Sequence, residues 1–271
     1  MAIYHFNVGI ISRGNSDSIT GASAYISGEK LRDNFTNKIY NYSKRQDVIF
    51  KEILLPQKAP SEFHDRQAFL NALNISEKRK DSQLARTIKN ALPNELPLDV
   101  SIALLKEFLH DIFISVGLCA DIAIHKGRFD ENRKPNNIEA VHERLDNPHA
   151  HIIIPFRPVD GNGFCRIKTQ TRYMNKRTFL KKLREDWARL LNREFERRGL
   201  DVRVSHESHA ARGIFDLEPT THLGPAVLAM EKKGIRTERG DEHRRIIKRN
   251  KEREISREKS LERERSLDRS R

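Results

Sequence analysis

Cysteine is scarce in this chain: 271 residues carry only Cys119 and Cys165, in unrelated contexts. Two isolated thiols exclude a disulfide framework and a thiolate metal knot, and a reduced, cytoplasmic setting is the expectation. Long hydrophobic runs are also missing. No stretch approaches the roughly 20 apolar residues that cross a bilayer. The opening MAIYHFNVGII has neither the basic stretch nor the small-residue cleavage site of a secretory signal, so no membrane insertion is expected. Acidic charge is in deficit, with 38 Asp and Glu against 51 Lys and Arg, a formal net charge of +13. An excess of that size favours a polyanionic partner such as nucleic acid.

Apolar residues make up 37% of the chain, enough for a substantial core, while 33% is charged. Residues 2–11 alternate as a strand, with Tyr4, Phe6, Val8 and Ile10 on one face. After a polar stretch, ASAYISGEKLRD is expected to be helical. KEILLP, stopped by Pro56, is expected to be a strand, and Ser61 to cap a helix carrying Phe69 and Leu73. DSQLARTIKNAL is assigned to a further helix ending at Pro93. VSIALLKEFLHDIFISVG has helical spacing, LCADIAIHKG alternates as a strand, and Lys126 to Asp146 forms a polar loop. HIIIPFRPV is the most apolar strand candidate, and DGNG should turn it into a hairpin with FCRIK. Phe179, Leu183, Trp187, Leu191 and Phe195 recur every four residues, an apolar helical stripe that reads as core.

From about Ala226 the composition shifts. Residues 231–271 hold 16 Lys or Arg and 10 Asp or Glu with few large apolar residues, so this segment is a solvated charged helix or a disordered tail. The expected organisation is a domain over residues 1–225 and a charged tail over 226–271. Strands and helices mix without a βαβ repeat, which favours an α+β fold.

The chemistry gathers around DNPHAHIII. On a strand, His149 and His151 share a face with Ile153. Neutral imidazole is a good metal ligand, and an H-x-H pair supplies two donors at fixed geometry. His125, at the end of another strand pattern, is the preferred third donor, and His142 in the polar loop the second choice. His206 and His209 in SHESH are surface residues or DNA contacts. Three histidines without thiolate or carboxylate leave coordination positions open, which suits Lewis-acid work on a phosphoryl oxygen.

AIYHF near the start, SAYISG around Tyr25 and NPHAHIII resemble the MobA/MobL-type plasmid mobilisation relaxases of the HUH endonuclease group. KEILLP, EKRKDSQLARTIKNALPNEL, REDWARLLNREFERRGLDVRV, IFDLEPTTHLGPA and GIRTERG follow in the same order, so the resemblance spans roughly residues 2–240. It implies an HUH relaxase-like fold with a central antiparallel sheet flanked by helices. It also implies a site- and strand-specific DNA endonuclease and strand transferase, with Tyr25 attacking a phosphodiester at an origin of transfer and becoming linked to the 5′ phosphate. His125, His149 and His151 would hold a divalent cation, Mg²⁺ or Mn²⁺. Origin-of-transfer DNA, single-stranded or hairpin, would be the substrate, with relaxosome accessory proteins and a type IV secretion coupling protein as partners. Tyr40 and Tyr42 are rival nucleophiles without a family match. Arg13, Lys30, Arg32, Arg157, Arg166 and Lys168 lie near the expected site elements and are candidates for phosphate contacts.

One position departs from the resemblance. Relatives often carry an acidic residue after LAR, where this chain has Thr87, so orientation of a histidine would have to come from elsewhere, with Asp121 the candidate. Two other functions stay open: a rolling-circle replication initiator, and a DNA-binding remnant of a mobilisation protein without turnover.

Overall fold

The computed structural model describes residues 4–127, 148–207, 210–212, 217–219 and 223–268. The order of elements in the first unit is β1 (Phe6–Ser12), α1 (Ile19–Ser27), β2 (Lys30–Asp33), β3 (Lys38–Asn41), β4 (Val48–Leu54), α2 (Arg66–Ser76), β5 (Gln83–Ala91), α3 (Leu98–Ile112), β6 (Ala120–His125), β7 (His149–Pro155), β8 (Val159–Asp160), β9 (Gly163–Phe164) and α4 (Arg177–Arg197). Five strands form an antiparallel sheet in the order β1-β5-β7-β6-β4. β2 with β3 and β8 with β9 form small hairpins of their own. This is the α+β architecture expected from the element pattern.

Strand alternation sorts the core onto two faces. Ile88, Ile122, Ile124, Ile152 and Ile154 pack with Leu105 and Phe108 of α3 and with Trp187, Leu191 and Phe195 of α4. The apolar stripe on α4 is core, as its four-residue spacing implies, and Trp187 is fully buried against Phe108 with ring centroids 5.3 Å apart. On the opposite face Ala85, Ala123 and Ile153 meet Ile19, Ala24 and Ile26 of α1 and Phe69, Leu70 and Leu73 of α2.

Three expectations are corrected. LARTIKNAL is not helical: it is β5, between β1 and β7, and largely buried. A strand covered on both faces loses the period-two signal that identifies half-exposed strands, and Leu84, Ile88 and Leu92 imitate a helical repeat. The helix containing Tyr25 stops at Ser27, because Gly28 takes the left-handed conformation (φ 65°) and donates its backbone N–H to the Ala24 carbonyl; KLRD then becomes β2. Ser61 starts a short 3-10 turn, and the residue capping α2 is Asp65, whose carboxylate accepts from the Ala68 N–H at 2.7 Å.

A second unit, Glu207–Arg271, is compact by itself. It contains α5 (Gly224–Lys232), within which the composition change near Ala226 falls, and α6 (Glu238–Asp268). Within the charged segment, Glu238–Asp268 is one helix, separated from α5 by Lys233 to Thr237. Within this unit Glu231 accepts from Arg244 at 2.6 Å, and Glu218 pairs with Arg249 and Arg253. Among the described residues no helix is long and apolar enough to cross a membrane.

Candidate metal centre and its tyrosine

The pairing of β6 with β7 sets His125 opposite His149 and Ala123 opposite His151. Odd-numbered residues of both strands face α1, so all three imidazoles emerge on that side. One ligand nitrogen from each of the three lies within 4.8 Å of the others. Ring centroids are 4.4 Å apart for His125 and His151, 5.0 Å for His149 and His151, and 5.5 Å for His125 and His149. His125 is buried and the other two are half-buried. His142 and His209 lie outside the described residues.

The protonation state suits a cation. Burial drives the His151 pKa down to about 3, and the neighbouring His125, His149, Lys89 and Arg45 push the same way. Burial also lowers that of His125. Lys89, which sequence reasoning passed over, is the residue of β5 opposite His151. The His125 tautomer follows from a 2.7 Å contact between Nε2 and the Ile26 carbonyl. A carbonyl only accepts, so Nε2 carries the hydrogen and Nδ1 presents the lone pair. Three imidazoles converging with no carboxylate among them fit a divalent cation.

Tyr25 occupies the last turn of α1, one residue before that carbonyl. Its ring is 46% exposed and sits edge-on to His125 with centroids 6.5 Å apart. Tyr42 packs edge-on against Tyr25 at 5.4 Å, and Tyr40 covers Gly21 on α1, where an added Cβ would come within 2.8 Å of its ring. Of the three tyrosines considered from sequence, Tyr25 is the exposed one beside the histidines.

α1 is fixed in place by a buried polar cluster. Asp121 of β6 accepts from Nε and Nη2 of Arg66 at 3.0 and 2.9 Å and from the Ser23 hydroxyl of α1. Arg66 also reaches Glu29 at 2.6 Å. The expectation that Asp121 would orient a histidine is therefore corrected: it shares the histidine face but its carboxylate is taken by Arg66 and Ser23. Thr87 lies on the same face of β5, between Gly9 and Ile153. Arg45, not singled out from sequence, contacts both His125 and Tyr25.

The six cations proposed from sequence divide into two groups. Arg157 and Lys168 pair with the buried Glu77 carboxylate at 2.7 and 2.9 Å. Arg13 donates to the Glu77 and Asn74 carbonyls and lies over the Phe35 ring at 3.9 Å. These three gather at the end of the sheet formed by Ser12, Gln83 and Pro155, roughly 13 Å from His151 and roughly 20 Å from His149 along β7 by strand rise. Lys30, Arg32 and Arg166 are exposed, the first two on β2 next to α1.

A sheet that brings three imidazoles together beside an exposed tyrosine defines a metal-competent histidine centre. The model of the MobA/MobL family matches residues 17–233, and the chain belongs to that family. It is 31% identical to the mobilization protein MobL of Acidithiobacillus ferridurans over 90% of this chain and 66% of that protein. It is 32% identical to mobilization protein A of Escherichia coli, over 89% of this chain and 32% of that one. It is 30% identical to the conjugal transfer protein TraA of Rhizobium radiobacter, over 88% and 23%. The chain thus spans just under two thirds of the MobL protein and less than a third of the other two. A solved structure described as "Molecular Basis of Vancomycin Resistance Transfer in Staphylococcus aureus" superposes with a TM-score of 0.62 at 33% identity, covering 76% of this chain and all of that one. The antiparallel-sheet fold implied by the resemblance to HUH relaxases is the one observed.

Proposed function

We propose that the chain is a relaxase that nicks one strand of DNA at a plasmid origin of transfer through Tyr25. The observation that carries this is the exposed Tyr25 ring beside three convergent, metal-competent histidines. The Tyr25 hydroxyl gives up its proton to solvent as its oxygen forms a bond to the scissile phosphorus, the P–O3′ bond breaks, and the 3′ oxygen leaves with its electron pair and takes up a proton from solvent. The product is a 5′-phosphotyrosyl ester that preserves a phosphodiester for later religation.

A neutral phenol is a weak nucleophile, so attack needs help in stabilising the charge that develops. The divalent cation, Mg²⁺ or Mn²⁺, when held by His125, His149 and His151, supplies Lewis-acid stabilisation of charge developing on the phosphoryl oxygens. The Ile26 carbonyl keeps Nδ1 of His125 available as a donor, and burial keeps His151 neutral. Lys30 and Arg32 offer exposed cations for backbone phosphates beside α1, and Arg166 does so at the far end of the sheet. Arg13, Arg157 and Lys168 would contribute field rather than direct contact while Glu77 and the carbonyls hold them. Relaxosome proteins and a secretion coupling protein are the partners this role entails. Family membership favours mobilisation over replication initiation.

The test is cleavage of labelled single-stranded origin DNA with Mn²⁺ or Mg²⁺. Wild type should cleave, and Tyr25→Phe, His149→Ala and EDTA-treated protein should not. Tight, specific binding without cleavage under either ion would favour the DNA-binding remnant, and cleavage by Tyr25→Phe would move the nucleophile to the adjacent Tyr42.

A further inference from the structure

Arg45 lies in the turn between β3 and β4, and its side chain is only 17% exposed. Asp47 holds its guanidinium as a fork, accepting from Nε at 2.8 Å and from Nη2. Nη1 donates to the Tyr25 carbonyl at 2.9 Å. The guanidinium carbon stands 4.2 Å from the Tyr25 ring centroid, within cation–π range. Nη2 lies 3.3 Å from Nδ1 of His125. One planar cation therefore bears on the tyrosine and on a histidine together.

The tautomer makes this arrangement consequential. Nε2 of His125 is committed to the Ile26 carbonyl, so Nδ1 is the nitrogen that His125 can offer a metal ion. It is also the nitrogen that Arg45 meets. A single lone pair serves one partner at a time, and a guanidinium does not give up its charge in proteins.

We propose that Arg45 is a positioning residue coupling metal loading to the placement of Tyr25: its guanidinium clamps the Tyr25 ring and backbone while capping Nδ1 of His125, and it yields that cap when an ion binds. The proposal rests on Tyr25 as the nucleophile and the histidines as the ion-holding set. The two bonds to Asp47 and the one to the Tyr25 carbonyl leave the tyrosine clamped after the cap is released. Lysine would keep the charge but could not provide the fork, the ring stacking and the cap together.

Calorimetric titration of the full, metal-stripped chain with Mn²⁺ separates the two halves of the proposal. Arg45→Met should bind Mn²⁺ about five- to tenfold more tightly, because a competing donor and a nearby positive charge are both removed. At saturating Mn²⁺ its rate of covalent DNA adduct formation should fall about tenfold or more, since the nucleophile is no longer held. Arg45→Lys should bind Mn²⁺ less tightly than Arg45→Met and yet fail to restore the adduct rate. A residue needed only for folding would weaken Mn²⁺ binding when lost, not strengthen it. Unchanged or weaker Mn²⁺ binding by a folded Arg45→Met overturns the cap. An adduct rate equal to wild type, or full rescue by lysine, overturns the clamp. Should the methionine variant not fold, Arg45→Gln takes its place: losing the charge and the fork should tighten Mn²⁺ binding and slow adduct formation, and failure of either effect overturns the corresponding half of the proposal. If wild type forms no adduct at all, the functional reading and the clamp fail together, while the Mn²⁺ affinities still decide the cap.

Discussion

Removing the Asp121 carboxylate should destabilise the first unit severely, and most of the loss should be recoverable by removing its partner as well. Asp121 is fully buried and accepts two hydrogen bonds from Arg66, itself 8% exposed, and one from Ser23. In Asp121→Ala the Arg66 cation remains buried with Glu29 as its surviving partner. Breaking a buried pair from one side costs about 3–5 kcal/mol, and Glu29 places this case near the lower end, about 3. Against a typical total of about 5–15 kcal/mol, that is a large share. Ser23→Ala removes one hydrogen bond and leaves the ion pair, for a loss of about 1 kcal/mol. The double variant Asp121→Leu with Arg66→Met removes both charges and should come within about 1–2 kcal/mol of wild type. Urea denaturation followed by circular dichroism measures all three. A loss below about 1 kcal/mol in Asp121→Ala, or a double variant as unstable as the single one, would refute the assignment of this cluster as the anchor of α1.

Three further outcomes follow from the same structure. His151 should stay neutral far into acid, with its imidazole nitrogen signals titrating near pH 3 by NMR. Because its folded value lies below the unfolded value of about 6.5, the unfolded chain binds the proton first as pH falls. The stability this residue contributes is complete above about 6.5 and drains between there and about 3, so acid unfolding should shift to lower pH in His151→Gln. Trp187→Ala should cost about 3–5 kcal/mol in denaturation while leaving Mn²⁺ affinity near wild type, since it lies on the sheet face away from the histidines. Gly28→Ala should lose about 1–2 kcal/mol, because φ is 65° there and an added Cβ would sit 3.1 Å from Val48.

The histidine pair was legible because alternation on a strand is rigid: residues two apart share a face whatever surrounds them. His125 was legible as the end of a second alternating segment, and strand pairing then set it opposite His149. The stripe from Phe179 to Phe195 was legible because one face of α4 packs and the other is wet. β5 was not, since a central strand buried on both sides carries no alternation and its leucines and isoleucine fell at helical intervals. β2 was lost behind Gly28, whose role as a helix stop shows only in its backbone angle. The partners of Asp121 and Glu77 and the position of Arg45 join residues up to 98 apart in the chain, and no local spacing encodes them. Tyr25 owed its selection to the family resemblance; its place beside His125 appears only in three dimensions.

The most direct test of the central claim is to trap the covalent product on origin DNA with Mn²⁺, digest it, and find by mass spectrometry which peptide carries the nucleotide. The account predicts a 5′-phosphotyrosyl link on the peptide containing Tyr25, abolished by EDTA. A nucleotide attached to any other residue, or a nick with both ends free of protein, would contradict it.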